Sequence, residues 1–245
     1  MVRSILQQIS RNVVLKRRLP PEFGGHSLYV SPDSALHYWK PGLANADPEL
    51  MNVARRFVRP GMTVWDIGAN VGLFSFCAAA KGAKVYSLEA DTFLVGLLRK
   101  SQRTTGLQVN PIPLAISDHL GLAEFHIAQR GRSANHIGVG MSDSGGTRWT
   151  ESVPCATLDW LAEKIPTPDF IKIDVEAMEN AVLRGGMNLL SSRHPKILCE
   201  VSEDSESRRE TTETFRALGY RLFNVKNDSW VDSAVFSTLA IYGEL

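Results

Sequence analysis

The sequence predicts an α/β fold built on a mostly parallel, seven-stranded sheet with helices on both faces. Three observations carry that expectation. From residue 46 onward, short apolar runs rich in β-branched residues alternate with longer amphipathic stretches, the pattern of repeated strand-helix-strand units. The first of these runs leads into a glycine-bearing turn and then a second helical stretch, where open α/β sheets place ligands. Finally, 245 residues with 44% hydrophobic and 22% charged content suffice for one buried core and are short for two independent ones.

Taken in order, residues 1–45 read as an irregular extension, broken at Pro20-Pro21, Gly24-Gly25 and Pro41-Gly42, and are assigned to a lid or dimer element ahead of a domain spanning 46–245. Within them Leu6, Ile9, Val13 and Val14 form the apolar face of a short basic helix, flanked by Arg3, Arg11, Lys16, Arg17 and Arg18. Such a helix packs on the domain, lies on a membrane surface or covers the site. It has no uninterrupted apolar run of the length a signal peptide or membrane span needs. Asp47, Pro48 and Glu49 then make a capped helix start, and Arg59-Pro60-Gly61 ends that helix. Met62–Asp66 reads as a buried strand, followed by a helix through Ala80, a strand at Lys84–Leu88, a helix at Asp91–Gln102 and a strand at Leu107–Ile116. Residues 122–128, LAEFHIA, alternate like an exposed strand. Residues 130–150 are polar, glycine-rich and without periodicity. A helix starts at Thr157, a strand spans Phe170–Asp174, a helix Met178–Leu190, a strand Lys196–Val201 and a helix Thr211–Leu218. Tyr220–Phe223 and Ser237–Tyr242 close the chain as an edge hairpin.

Charge and cysteine content narrow the partners. The 27 Lys+Arg against 26 Asp+Glu leave a formal charge of +1, which offers no broad attraction for a polyanion, so no nucleic-acid partner is expected. Cys77, Cys155 and Cys199 match neither a metal-ligand spacing nor a disulfide framework. Buried thiols in a cytoplasmic protein fit that usage.

The strongest motif is Val64-Trp-Asp-Ile-Gly-Ala-Asn-Val-Gly72 at the strand-to-helix turn. Glycine there lets the backbone approach a ligand, and the helix N-terminus offers free N–H groups. A dinucleotide fingerprint needs G-x-G-x-x-G. Here Gly68, Asn70 and Gly72 follow Asp66, whose negative charge repels a diphosphate and attracts the ammonium and sulfonium of S-adenosylmethionine. Glu89, at the tip of the second strand, is placed to accept both ribose hydroxyls. Asp174, Glu176 and Glu179 converge at the end of the fourth strand. Three carboxylates so close call for a cation, and Lys172, Arg184, the sulfonium and a divalent metal are the candidates.

These phrases, with Ala115-Ile-Ser-Asp118, Thr157-Leu-Asp159, Ile171-Lys-Ile-Asp-Val-Glu-Ala-Met-Glu179 and Val182-Leu-Arg-Gly185, resemble the FkbM-type methyltransferases across residues 45–245. The resemblance implies a Rossmann-like class I methyltransferase fold. It also implies S-adenosylmethionine-dependent methylation of a hydroxyl on a small molecule such as a sugar, polyketide or other secondary metabolite. Within that framework Ser117 and Asp118 hold the adenine edge. Ala177 departs from the family, which usually has glycine there.

Methyl transfer to a hydroxyl needs in-line placement and a base to take the proton. Asp174 is the first choice and His136 the second; His26, His37, His119, His126 and His194 show no partner pattern. Mg²⁺ held by Asp174 and Glu200 is the less favoured alternative, since no third oxygen ligand stands out, and no metal site is expected. The competing functions are a non-catalytic S-adenosylmethionine-binding protein, a methyltransferase acting on nucleic acid or protein, and a nicotinamide-dependent dehydrogenase. A homodimer is the expected assembly if the extension serves pairing.

Overall fold

The computed structural model describes residues 2–138 and 146–243. The first 45 residues are more ordered than their breakers imply. Helix α1 (Val2–Ile9) leads into a hairpin of β1 (Leu15–Arg18) and β2 (Ser27–Val30) in a separate two-stranded sheet. Leu19, Phe23, Leu28 and Val30 are buried in the main core. Pro20-Pro21 and Gly24-Gly25 lie in the turn of this hairpin, and its apolar residues were too few and too scattered to show a period.

Helix α2 (Pro48–Phe57) starts as expected, with the Asp47 carboxylate accepting from Leu50 N at 2.9 Å. Strand β3 (Thr63–Ile67), α3 (Leu73–Ala80), β4 (Lys84–Glu89) and α4 (Thr92–Thr105) follow. Asp91 is the cap of α4, taking Phe93 N at 2.9 Å. The expected strand at 107–116 is divided into β5 (Val109–Pro113) and β6 (Ala115–Ile116), which belong to different sheets. Pro111 and Pro113 cannot donate to a ladder, and β5 accordingly sits at the sheet edge.

A second sheet follows. It contains β6, β7 (Gly121–Ala128), β8 (His136–Ile137) and β9 (Thr147–Ala156), in the order β6-β9-β7-β8. The 130–150 stretch, expected as one aperiodic loop, thus contributes β8 and the start of β9. Residues 139–145 of that expectation lie outside the described residues. Strand β9 begins TRWTE, polar residues on an exposed ladder, which is why its start carried no apolar signal.

The chain returns through α5 (Leu158–Ala162), β10 (Phe170–Ile173), α6 (Glu179–Arg184), α7 (Met187–Arg193), β11 (Lys196–Glu200), α8 (Ser205–Ala217), β12 (Tyr220–Asn224), β13 (Ser229–Val231) and β14 (Ser237–Tyr242). The single helix expected over 178–190 is two. A Cβ on Gly185 would lie 2.2 Å from the Ser117 carbonyl oxygen, and one on Gly186 2.7 Å from Leu158, so the break lets the chain pass close to its neighbours.

Among the described residues the central sheet has eight strands, not seven, in the order β13-β12-β14-β11-β10-β3-β4-β5. The run from β11 to β5 is parallel, and β14 and β12 pair antiparallel as expected. The extra strand, Ser229–Val231, is three residues at the outer edge and too short to read from sequence. Adjacent residues of β3 serve opposite faces. Val64 packs with Phe74, Leu94 and Leu98 beneath α3 and α4, while Trp65 and Ile67 pack with Leu161, Val182, Leu190 and Phe215 beneath α5 to α8. A parallel sheet covered on both sides has this continuous apolar signature. Truncating Trp65 or Phe74 to alanine would cost about 3–5 kcal/mol. Among the described residues no helix is long and apolar enough to cross a membrane.

Candidate functional site

A cleft of ≈310 Å³ opens at the carboxyl ends of β3, β4 and β10, the edge where α/β sheets receive ligands. Its floor is the turn after β3. Gly68 and Asn70 line it, both with positive φ, 72° and 54°. A Cβ on Gly68 would sit 1.9 Å from the Asp174 carbonyl oxygen, so a side chain there would drive the turn off the end of β10. Gly72 directly precedes α3 and lies behind this lining.

Glu89 is the acid at the tip of β4. Its Oε2 accepts from Asn70 N at 2.7 Å and its Oε1 from Asp91 N at 2.8 Å. Burial pushes its carboxyl up to about 7, aided by the Asp91 charge and opposed by the two backbone donors. It lines the cleft, with lone pairs remaining on both oxygens.

Asp66 lies elsewhere. It is fully buried, outside the cleft lining, and accepts from Ser75 Oγ at 2.5 Å. The cation that the clustered acids call for is Lys172. Its Nζ lies 2.9 Å from Asp174 Oδ2, 3.4 Å from Asp66 Oδ1 and 3.4 Å from the Gly68 carbonyl oxygen. The parallel register of β10 with β3 pairs Lys172 with Asp66 and thereby sets this bridge. Burial opposes the ammonium, but Asp174, Asp66 and Glu200 outweigh it and hold its pKa above the ordinary lysine value. Arg184 is engaged at the surface instead, with Asp118 and Glu210.

Asp174 and Glu176 line the cleft, Asp174 with its side chain 39% exposed. Glu179 is buried at the start of α6, and burial together with the charges of Asp174 and Glu176 raises it to about 8. The preceding Ala177 has φ +57°. His136, also in the lining, is 6% exposed, with Nδ1 3.2 Å from the Ala134 carbonyl oxygen and its ring stacked on His126 at 5.1 Å. The lining from β6 is Ala115 and Ile116; Ser117 and Asp118, next in the chain, are not part of it. Ser117 is buried, and Asp118 is held below the usual carboxylate range by hydrogen bonds from His119 and Arg184.

Several lining residues carried no functional signal in the sequence. Asp47, read as a helix cap, is raised by burial. His37, read as a lone histidine, is lowered by burial and has a buried Nε2 without a partner among the described residues. Glu200 at the end of β11 was weighed only as a metal ligand; burial and the Asp174 charge push it up to about 8. Tyr38 and Arg132 complete this group. Arg132, 6% exposed, pairs with Asp33 at 3.0 Å and with Asp91. Arg148 donates to both oxygens of Asp33, at 2.8 and 2.6 Å. Asp33 therefore ties the N-terminal segment to the second sheet above the cleft. Among the described residues no group of three or more His, Cys, Asp or Glu is placed to hold a metal ion.

A second cavity of ≈510 Å³ shares Asp47, Leu50 and Glu200 with the cleft. Glu49, Glu203, Lys226 and Phe236 are among its other walls.

Residues 66–222 match the family model for the methyltransferase FkbM domain. The hexuronic acid methyltransferase AglP of Haloferax volcanii is 24% identical over 175 residues, which are 70% of this chain and 69% of AglP. A crystal structure of an FkbM methyltransferase from Methylobacillus flagellatus matches with a TM-score of 0.50 at 15% identity, over 82% of this chain and 60% of that one. The chain thus spans less than two thirds of that structure's length. The tRNA (uracil-54, C5)-methyltransferase of Pyrococcus abyssi, solved with S-adenosyl-L-homocysteine, matches at 13% identity and a TM-score of 0.48, over 93% of this chain and 43% of that one.

Proposed function

The chain belongs to the FkbM methyltransferase family, and from that premise we propose that it transfers a methyl group from S-adenosylmethionine to a hydroxyl of a small polyhydroxylated molecule. The observation that carries this reading is Glu89, fixed at the strand tip by two backbone N–H donors and facing a cleft of ligand size. Glu89 accepts the ribose hydroxyls, and Asn70 and Gly68 let the backbone come close. When bound, the cofactor supplies an electrophilic methyl carbon and leaves as a neutral thioether. Asp174 takes the acceptor hydroxyl's proton as the new C–O bond forms. Lys172 holds that carboxylate in place by its 2.9 Å hydrogen bond. His136 is the second base, its ring held with Nδ1 3.2 Å from the Ala134 carbonyl oxygen.

The acceptor occupies the second cavity. Asp47, Glu49, Glu200 and Glu203 stand in its walls, and Lys226 is the one Lys or Arg among its described lining residues. Carboxyl groups bond hydroxyls whether ionised or protonated, and the ionised ones repel another carboxylate. A neutral polyol or sugar fits those walls better than a hexuronic acid, the substrate type named for AglP. Transfer of labelled methyl to a set of neutral glycosides, uronic acids, RNA and protein tests the acceptor class; no transfer to any of them would favour a non-catalytic binding protein. Calorimetry with S-adenosylhomocysteine tests the cofactor. Glu89→Ala is expected to weaken its binding by about 1–3 kcal/mol, the loss of charge-assisted hydrogen bonds. Unchanged affinity would remove the ribose role.

A further inference from the structure

Apart from the cleft, the most unusual surface is at the N-terminus. Leu6, Ile9, Val14 and Trp39 are all exposed, Ile9 at 55%. Two sets of hydrogen bonds make them one patch. Trp39 Nε1 donates to Ser10 Oγ at 3.0 Å, which seats the indole at the end of α1. Arg17 donates to the carbonyl oxygens of Tyr38 and Trp39, which draws β1 alongside. Arg11 and Lys40, next in the chain to Ser10 and Trp39, are exposed, as are Lys16 and Arg18 on β1. The first twenty residues contain five basic and no acidic residues, in a chain whose formal net charge is only +1. Of the acids that follow, Glu22 is exposed in the β1–β2 turn, and Asp33 is buried against Arg132 and Arg148.

We propose that this face docks on the surface of a bilayer containing anionic phospholipid. The apolar side chains enter the headgroup boundary, the indole suits that depth, and the basic side chains of the segment meet the lipid phosphates. A second copy of the chain fits less well, because self-pairing would bring two basic segments together. A nucleic acid has no use for an aliphatic centre. The patch also borders the site. Gln7 of α1 lines a recess of ≈300 Å³ with His37, and His37 lines the cleft as well. Docking therefore brings the cleft mouth to the headgroup layer.

The test is co-sedimentation of the full chain with phosphatidylcholine vesicles, with and without phosphatidylglycerol. Binding is expected to the anionic vesicles, weakening as salt is raised. Ile9→Glu and Arg11→Glu should each lower the partition coefficient about tenfold or more, with melting temperature and S-adenosylhomocysteine affinity unchanged. Three results would overturn the proposal: no preference for anionic vesicles, binding to single-stranded RNA but not to vesicles, or a dimer in light scattering that Ile9→Glu dissociates. None of these readouts requires turnover, so they stand apart from the test of methyl transfer.

Discussion

Replacing Lys172 by methionine removes a buried ammonium and keeps most of the side chain's length. The structure sets the size of the effect. Lys172 is 3% exposed and bridges Asp66 and Asp174. Asp66 is fully buried, and Ser75 satisfies its Oδ2 only. Without the lysine, Asp66 would be a buried charge with no cation beside it, since its other ladder neighbour is the neutral Ser87. Breaking a buried pair in this way costs ~3–5 kcal/mol. For a chain of this length each kcal/mol moves the melting temperature by ~2–4 °C, so the expected fall is roughly 6–20 °C. Thermal unfolding followed by circular dichroism measures it. The double variant Lys172→Met with Asp66→Asn removes the stranded charge as well and should recover most of the loss, which makes the coupling visible as non-additivity. A single variant within about 1 kcal/mol of wild type, or a double variant less stable than the single, would refute the bridge as the source of stability.

Three further outcomes follow from the same site. Glu89, Glu179 and Glu200 have folded-state values of about 7, 8 and 8, above the ~4.3 of an unfolded glutamate. The folded chain therefore holds more protons than the unfolded one between those limits, and stability falls as pH rises through about 4.3 to 8; melting temperatures that rise across that window would contradict this. Ala177→Gly relieves a left-handed backbone that costs a side chain ~1–2 kcal/mol, against the ~0.5–1 kcal/mol of added chain freedom glycine brings. Denaturant unfolding should show a gain of up to about 1.5 kcal/mol, and a loss would mean the methyl group packs usefully. Turnover should survive EDTA and vanish in Asp174→Asn, because Asp174 acts directly; loss with EDTA and rescue by Mg²⁺ would reverse that reading.

What the sequence revealed depended on whether a residue's role left a local pattern. The parallel core did, because strands buried on both faces must be continuously apolar. The cap Asp47 did, because an N-cap precedes its helix by fixed spacing. Glu89 was read at the tip of the second strand, and it ends β4. Asp66 had the right neighbours in sequence, yet its role was set by a strand 172 − 66 = 106 residues further along the chain: only the β3–β10 register brings Lys172 to it. The break at Gly185-Gly186 was invisible for a similar reason, since its cause is the Ser117 carbonyl on a distant segment. His37 and Arg132 reach the cleft through tertiary packing, so nothing adjacent in sequence marked them, and Glu200 stood out only by its place at the end of a strand.

The double engagement of Asp33 bears on how the molecule comes apart. One carboxylate serves Arg132 and Arg148, and Arg132 reaches on to the cap of α4. All four groups are shielded from water, so added salt screens them little. The N-terminal hairpin, the second sheet and the first turn of α4 should consequently open as one cooperative unit, with amides in all three exchanging hydrogen at a common rate. A chain begun at residue 46 would lose Asp33 and so leave Arg148 without its carboxylate and Arg132 with Asp91 alone, so the leading segment is expected to add to the fold's stability even though the family match begins only at residue 66.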